Sequence, residues 1–153
     1  MPARCEYTGR CRVVRGAGLL SRMIGLASRL PPAGEDTPLH VAIASCAQGE
    51  TWIRDFDGWQ MQSRLWAEAG LLRERLGLAT FGFALHGDET GLRWELAAVR
   101  ALGIALPVRW FRDVHAREFV APGGLYGFEV RAALPLAGLL VHYTGTLAVE
   151  PAS

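Results

Sequence analysis

The chain opens in strict alternation. From residue 4 to residue 14, Cys5, Tyr7, Cys11 and Val13 fall on one face and Arg4, Glu6, Arg10 and Arg12 on the other, the period of a β-strand with one buried side. After Gly16 the period changes. At about 100° per residue, Leu19, Leu20, Met23, Ile24, Leu26, Ala27 and Leu30 share one arc, and Ser21, Arg22, Ser28 and Arg29 share the opposite one. This predicts an amphipathic helix that stops before Pro31-Pro32.

Beyond a loop expected over residues 31–38, turn signals divide the chain into strands down to its last residues. Leu39, Val41 and Ile43 alternate with His40, Ala42 and Ala44. Gln48-Gly49 turns the chain into a strand over 50–57 with Trp52, Arg54 and Phe56 on one side, and Asp57-Gly58 is a tight-hairpin signal leading into 59–66. Strands are expected at 71–76 and at 80–86, where Phe81, Phe83 and Leu85 share a face. Leu92, Trp94 and Leu96 then alternate, followed by a less regular stretch through Leu106-Pro107 and Trp110-Phe111. The last strands are expected at 113–121, 125–134 and 139–149. About nine or ten antiparallel strands with one helix after the first predict a mainly β fold, a barrel or strongly curled sheet, since closure removes exposed edges.

The 153 residues fit one domain, 1–153. The formal net charge of +1 gives nucleic-acid binding little support. The apolar run over 132–141 is about half the length of a membrane-spanning helix, and the first residues lack the order of a secretory signal, so the expected location is cytoplasmic. All 16 basic residues are arginine. Cys5, Cys11 and Cys46 have no C-x-x-C spacing, and Cys5 and Cys11 lie about 20 Å apart along an extended strand, so reduced structural thiols are expected.

The motifs with chemical meaning each have a plainer reading. Gly16-Ala17-Gly18-Leu19-Leu20-Ser21 imitates a dinucleotide loop, but Ser21 replaces the third glycine and no second parallel strand follows, so a glycine-permitted turn is expected. His40, His86, His115 and His142 lie on separate strands with no metal-ligand spacing within one element, and no metal or other cofactor is expected. Asp113, His115 and Arg117 share a strand face, either as an oriented acid-base histidine or, more simply, as a solvated polar face. Arg15, Arg22 and Arg29 recur every seventh residue and give the helix a basic stripe.

Taken together, Tyr7-Thr8-Gly9, Leu30-Pro31-Pro32-Ala33-Gly34, Glu50-Thr51-Trp52-Ile53-Arg54-Asp55-Phe56, Phe81-Gly82-Phe83-Ala84-Leu85, Leu106-Pro107, Ala116-Arg117-Glu118-Phe119, the run 133–140 and Tyr143-Thr144-Gly145 carry a resemblance. The chain resembles an uncharacterised bacterial domain of unknown function, DUF4166, found alone or appended to saccharopine-dehydrogenase-like and other NAD(P)-binding proteins. The resemblance implies no catalytic residue or cofactor. By association it implies an accessory role beside an NAD(P)-dependent oxidoreductase. It also implies a short leader before the first strand that this chain lacks, hence a truncated or misassigned start.

Three functional expectations follow. The first is a non-catalytic binding or accessory domain holding a small apolar or amphipathic molecule. Its cavity candidates are Trp52, Arg54, Phe56, Glu74, Phe81, Phe83, Trp94, His115, Glu118, Phe128 and Tyr143, under a lid helix carrying Leu20, Met23, Ile24 and Ala27. The second is an enzyme in which Arg54, Glu74, Glu118, His115 and Tyr143 converge inside the barrel. The third is membrane contact through the basic helix stripe.

Overall fold

The computed structural model describes residues 3–27 and 29–150; of Ala27 only the backbone is described, so its expected lid contact lies outside the described part. The elements are β1 (Ala3–Arg15), α1 (Leu19–Ala27), β2 (Gly34–Cys46), β3 (Gly49–Phe56), β4 (Trp59–Glu68), β5 (Leu71–Leu76), β6 (Ala79–Asp88), β7 (Gly91–Ala101), β8 (Ile104–Leu106), β9 (Asp113–Val120), β10 (Tyr126–Leu134) and β11 (Gly138–Val149). Each strand pairs antiparallel with its neighbour from β1 to β7. β7 then pairs with β9, which continues through β10 and β11 back to β1. The result is a closed ten-strand antiparallel barrel, with β8 attached at the end of β7.

Alternation decides what faces inward. On β1, Cys11 and Val13 are buried while Arg4, Arg10 and Arg12 are exposed, and Arg10 and Arg12 pair with Asp36 and Glu35 on the outer wall of β2. Gly9 shares the inward parity of Tyr7 and Cys11, and a methyl group there would overlap the Thr146 carbonyl oxygen of β11. Only glycine allows β1 and β11 to approach so closely. The hairpins follow residue-glycine pairs with positive φ at both turn positions, Asp57-Gly58, Ala69-Gly70 and Leu102-Gly103, the twist that tight hairpins require.

The strand β2 starts at Gly34, inside the loop expected from its prolines. Pro38 is tolerated there because β3 ends at Phe56, opposite Leu39, and leaves one side of β2 without a ladder to complete. The core forms two clusters. Cys11, Val13, Val41, Phe56, Met61, Phe128, Val141 and Tyr143 belong to the first, against which Leu30 and Leu76 pack. Leu65, Phe83, Trp94, Leu96 and Val99 form the second, covered by Phe81, Leu106 and Phe111. The irregular stretch after β7 therefore supplies core side chains.

The helix sits with the face opposite to the one its periodicity suggested turned towards the barrel. Ser21 and Gly25 are buried, whereas Leu19, Leu20, Met23 and Leu26 are exposed. Arg15 is the cause. Its guanidinium lies under the helix, donating from Nε to the Leu140 carbonyl at 2.9 Å and from Nη1 to the Pro31 carbonyl at 3.0 Å, and a methyl group at Gly25 would overlap it. Ser21 Oγ donates to the Leu139 carbonyl at 2.7 Å. Small residues must face down to accommodate these contacts, and Leu30 and the buried Pro31 cover the barrel end in place of the apolar arc.

Gly9→Ala tests the close approach of β1 and β11. We expect a loss of about 1–3 kcal/mol in unfolding free energy by urea denaturation, the usual effect of overpacking, concentrated in earlier unfolding of the β1–β11 seam by hydrogen exchange.

Candidate functional site

The barrel interior contains a cavity of about 390 Å³. Its walls come from the inward positions of β1, β2, β3, β5, β6, β7, β9, β10 and β11, and no α1 residue lines it. Antiparallel connectivity puts α1 at the end of the barrel reached by the C-terminus of β1. The cavity instead extends to the opposite end, where it is bordered by Cys5, Ser45, Glu50 and Tyr126. The expected lid position of Leu20, Met23 and Ile24 therefore has to be corrected: with Arg15 beneath the helix Leu20 and Met23 are exposed, and Ile24, half-buried, does not line the cavity.

Most of the wall is apolar. Leu39, Val41 and Ile43 from β2 face Phe128, Val130 and Ala132 from β10, with Phe56, Phe83, Trp94 and Leu147 between them. The rings interlock: Phe83 meets Trp94 edge-on at 5.5 Å between centroids, Trp52 meets Trp94 at 6.3 Å, and Phe128 meets Tyr143 at 6.1 Å. Edge-to-face contacts of this kind fix ring orientation as well as burying area.

Polar groups are few and held in place. Arg54 donates from Nη1 to Ser63 Oγ at 2.9 Å and from Nη2 to Glu74 Oε2 at 3.1 Å, and Ser63 Oγ donates to the same carboxylate oxygen at 2.8 Å. The guanidinium also stands over the Trp52 ring, 4.9 Å from its centroid. Burial opposes the Arg54 charge, but Glu74 and the nearby tyrosines outweigh it, so the pKa lies above its ordinary value. Tyr143, beside this pair, is pushed up to about 12, chiefly by burial. Nearer the mouth, Glu118 accepts hydrogen bonds from Trp94 Nε1 at 3.2 Å and from the Tyr126 hydroxyl. Burial first, and this carboxylate second, raise the Tyr126 pKa. Glu50 accepts from Trp52 Nε1 at 2.7 Å.

A family model described as Domain of unknown function (DUF4166) matches residues 2–147. The chain belongs to this family. Neither the comparison with curated proteins nor that with solved structures returned a match, so for this DUF4166 domain the site must be read from its own geometry.

Of the residues singled out in the sequence, Trp52, Arg54, Phe56, Glu74, Phe83, Trp94, Glu118, Phe128 and Tyr143 line the DUF4166 cavity. Phe81 lies in the wall packing beside Phe83 instead. His115 borders the cavity, yet the alternation that turns Val114, Ala116 and Glu118 inward turns its imidazole outward, exposed and 3.5 Å from Asp113. Asp113, His115 and Arg117 therefore share a solvated polar face, and His115 does not join Arg54, Glu74, Glu118 and Tyr143 inside the barrel. Ser63, Glu50 and Tyr126 had not been singled out. The signal was present, since each shares the parity of inward neighbours: Met61 and Leu65, Trp52 and Arg54, and Phe128.

Two further points concern metals and thiols. On the outer surface Glu6, His40 and Glu150 bring donor atoms within 4.8 Å of one another from separate segments, a grouping that spacing within one element cannot reveal. Arg4 already holds Glu6 at 2.7 Å. The cysteines are free, and burial raises the Cys11 thiol to about 11, which makes it a packing residue rather than a nucleophile.

Glu74→Gln should destabilise the domain by about 3–5 kcal/mol, because the Arg54 charge is left buried without its partner. The double variant Arg54→Met with Glu74→Leu should recover most of that loss. Urea denaturation of the two variants distinguishes a buried ion pair from two independent polar contacts.

Proposed function

We propose that this DUF4166 domain is a non-catalytic binding shell that holds one small apolar or amphipathic molecule inside its barrel. The reading is carried by the cavity itself: about 390 Å³ walled by interlocked aromatic and aliphatic side chains, within the size range of small-molecule sites. The polar groups orient the guest. Tyr143 lies outside the hydrogen bonds that tie Arg54, Ser63 and Glu74 together and presents a protonated hydroxyl to a ligand hydroxyl or carbonyl.

Wall charge narrows the ligand class. The inward carboxylates are Glu50, Glu74 and Glu118; of the arginines that border the cavity, Arg54 is engaged by Glu74, and Arg117 and Arg131, on the outward parity of β9 and β10, are engaged by Glu129 and Asp113. A guest with an anionic head would meet unfavourable potential, so the ligand is neutral or cationic. An accessory role beside an NAD(P)-dependent oxidoreductase rests on family association alone and draws no support from this geometry.

The test uses a neutral fluorescent probe, N-phenyl-1-naphthylamine, with native mass spectrometry of freshly purified protein. We expect probe uptake, displacement of any co-purified mass, and much weaker binding of the anionic analogue 1-anilinonaphthalene-8-sulfonate. Ala132→Trp, which fills the cavity from β10, should abolish uptake with little change in the far-ultraviolet circular dichroism spectrum. Absence of uptake by the unaltered protein, or uptake that survives Ala132→Trp, would refute the reading.

A further inference from the structure

The exposed apolar side chains are distributed unevenly over this barrel. The connections at the α1 end are the β1–β2 segment with α1, the β3–β4, β5–β6 and β10–β11 turns, and the path from β7 to β9. From them project Leu19 and Leu26 of α1, with 76% and 75% of their surface exposed, Leu78 with 72%, Leu102 with 72%, Trp110 with 47% and Leu136 with 93%. Leucines this exposed, from four separate connections at one end, form more than the scattered apolar exposure normal for a surface. Leu102 also takes a positive φ of 52° in its turn, where a leucine costs about 1–2 kcal/mol that asparagine or glycine would relieve. Local preference and solvent both oppose an apolar residue at that turn.

Charge indicates what this end meets. The same connections carry Arg22, Arg29, Arg109 and Arg112 against a single acid, Asp57. These arginines are exposed and make no ion pair among the described residues; on the wall Arg10, Arg12, Arg117 and Arg131 are paired, while Arg64, Arg75, Arg93 and Arg100 are exposed and equally without an ion pair. The opposite end also exposes Val120, Leu125, Tyr126 and Val149, but its connections, Ala47-Gln48, Ala69-Gly70, Glu89-Thr90 and residues 121–125, contain no arginine. Arg15, which the sequence placed on the helix stripe, takes no part because it is bound beneath the helix.

We infer that the α1 end of the barrel docks on an anionic lipid surface, with its leucine tips entering the headgroup–acyl boundary and its arginines facing lipid phosphates. Apolar tips surrounded by unpaired cations are the composition of an interfacial binder, and tryptophan suits the same depth. A second copy of this chain fits less well, since a two-fold contact would set the arginine-rich patch against itself. The inference does not depend on the cavity holding a ligand. It accounts for the outward arc of α1, which the barrel leaves uncovered.

Flotation with unilamellar vesicles provides the test. The protein should float with vesicles of phosphatidylcholine and phosphatidylglycerol, and raising salt should release it. It should not float with phosphatidylcholine alone. Leu26→Glu combined with Leu136→Glu should reduce partitioning by roughly tenfold or more, and Arg22→Gln and Arg109→Gln by about fivefold each. All four positions are solvent-exposed, so unchanged urea midpoints should accompany these losses. Val120→Glu at the opposite end should leave partitioning unaltered. Failure of the unaltered protein to bind anionic vesicles would overturn the inference. So would equal loss from Val120→Glu, or sedimentation showing a dimer that Leu26→Glu disperses without any vesicle binding.

Discussion

The constraint behind the rest of this structure is the closure of ten antiparallel strands. β1 pairs with β11 and β6 with β7, so the sheet has no open edge in the barrel wall. Closure also sets a width. Eight strands enclose a space that side chains can fill, and diameter grows with strand number. At ten strands the inward residues form packed clusters along the wall and towards the α1 end, and a cavity remains. The cavity is therefore a geometric consequence of strand count, and its chemistry follows from which residues have inward parity.

That parity places a charged pair where water is scarce. Arg54 and Glu74 are both largely buried, and their attraction offsets desolvation only because Ser63 supplies a further hydrogen bond and Trp52 a ring face. A hydrophobic pair of similar volume would cost less to bury. The ion pair instead fixes a polar feature inside an apolar wall, next to the Tyr143 hydroxyl, which is how small-molecule sites orient a guest. At the α1 end another arginine has a different task. Arg15 satisfies loop carbonyls and displaces the helix's large side chains outward, so one half-buried guanidinium shapes the outer surface as well as the barrel end.

Much of the fold was legible because β-strands have a period of two and tight hairpins have a small vocabulary. The expected strand at 71–76 coincides with β5 (Leu71–Leu76), and Asp57-Gly58 forms the expected turn. The helix was legible as an element but its orientation was not: periodicity identifies an apolar arc without saying that Arg15, far from it in character, occupies the space beneath. Wall residues such as Trp52, Arg54 and Phe56 could be read from alternation. The partner of Arg54 could not, since Glu74 and Ser63 reach it from β5 and β4 only after two hairpins set the register. His115 shows the same limit. Alternation groups it with Asp113 and Arg117, but which face turns inward depends on Glu118 pairing opposite Phe128.

A crystal structure of the domain purified without denaturation or lipid removal tests the central claim most directly, by showing what fills the space among Trp94, Phe128, Val130 and Tyr143. The expected result is non-protein density in that space, with Arg54 and Glu74 paired beside it. A solid interior, in which those side chains touch one another and leave no room for a guest, would contradict the account.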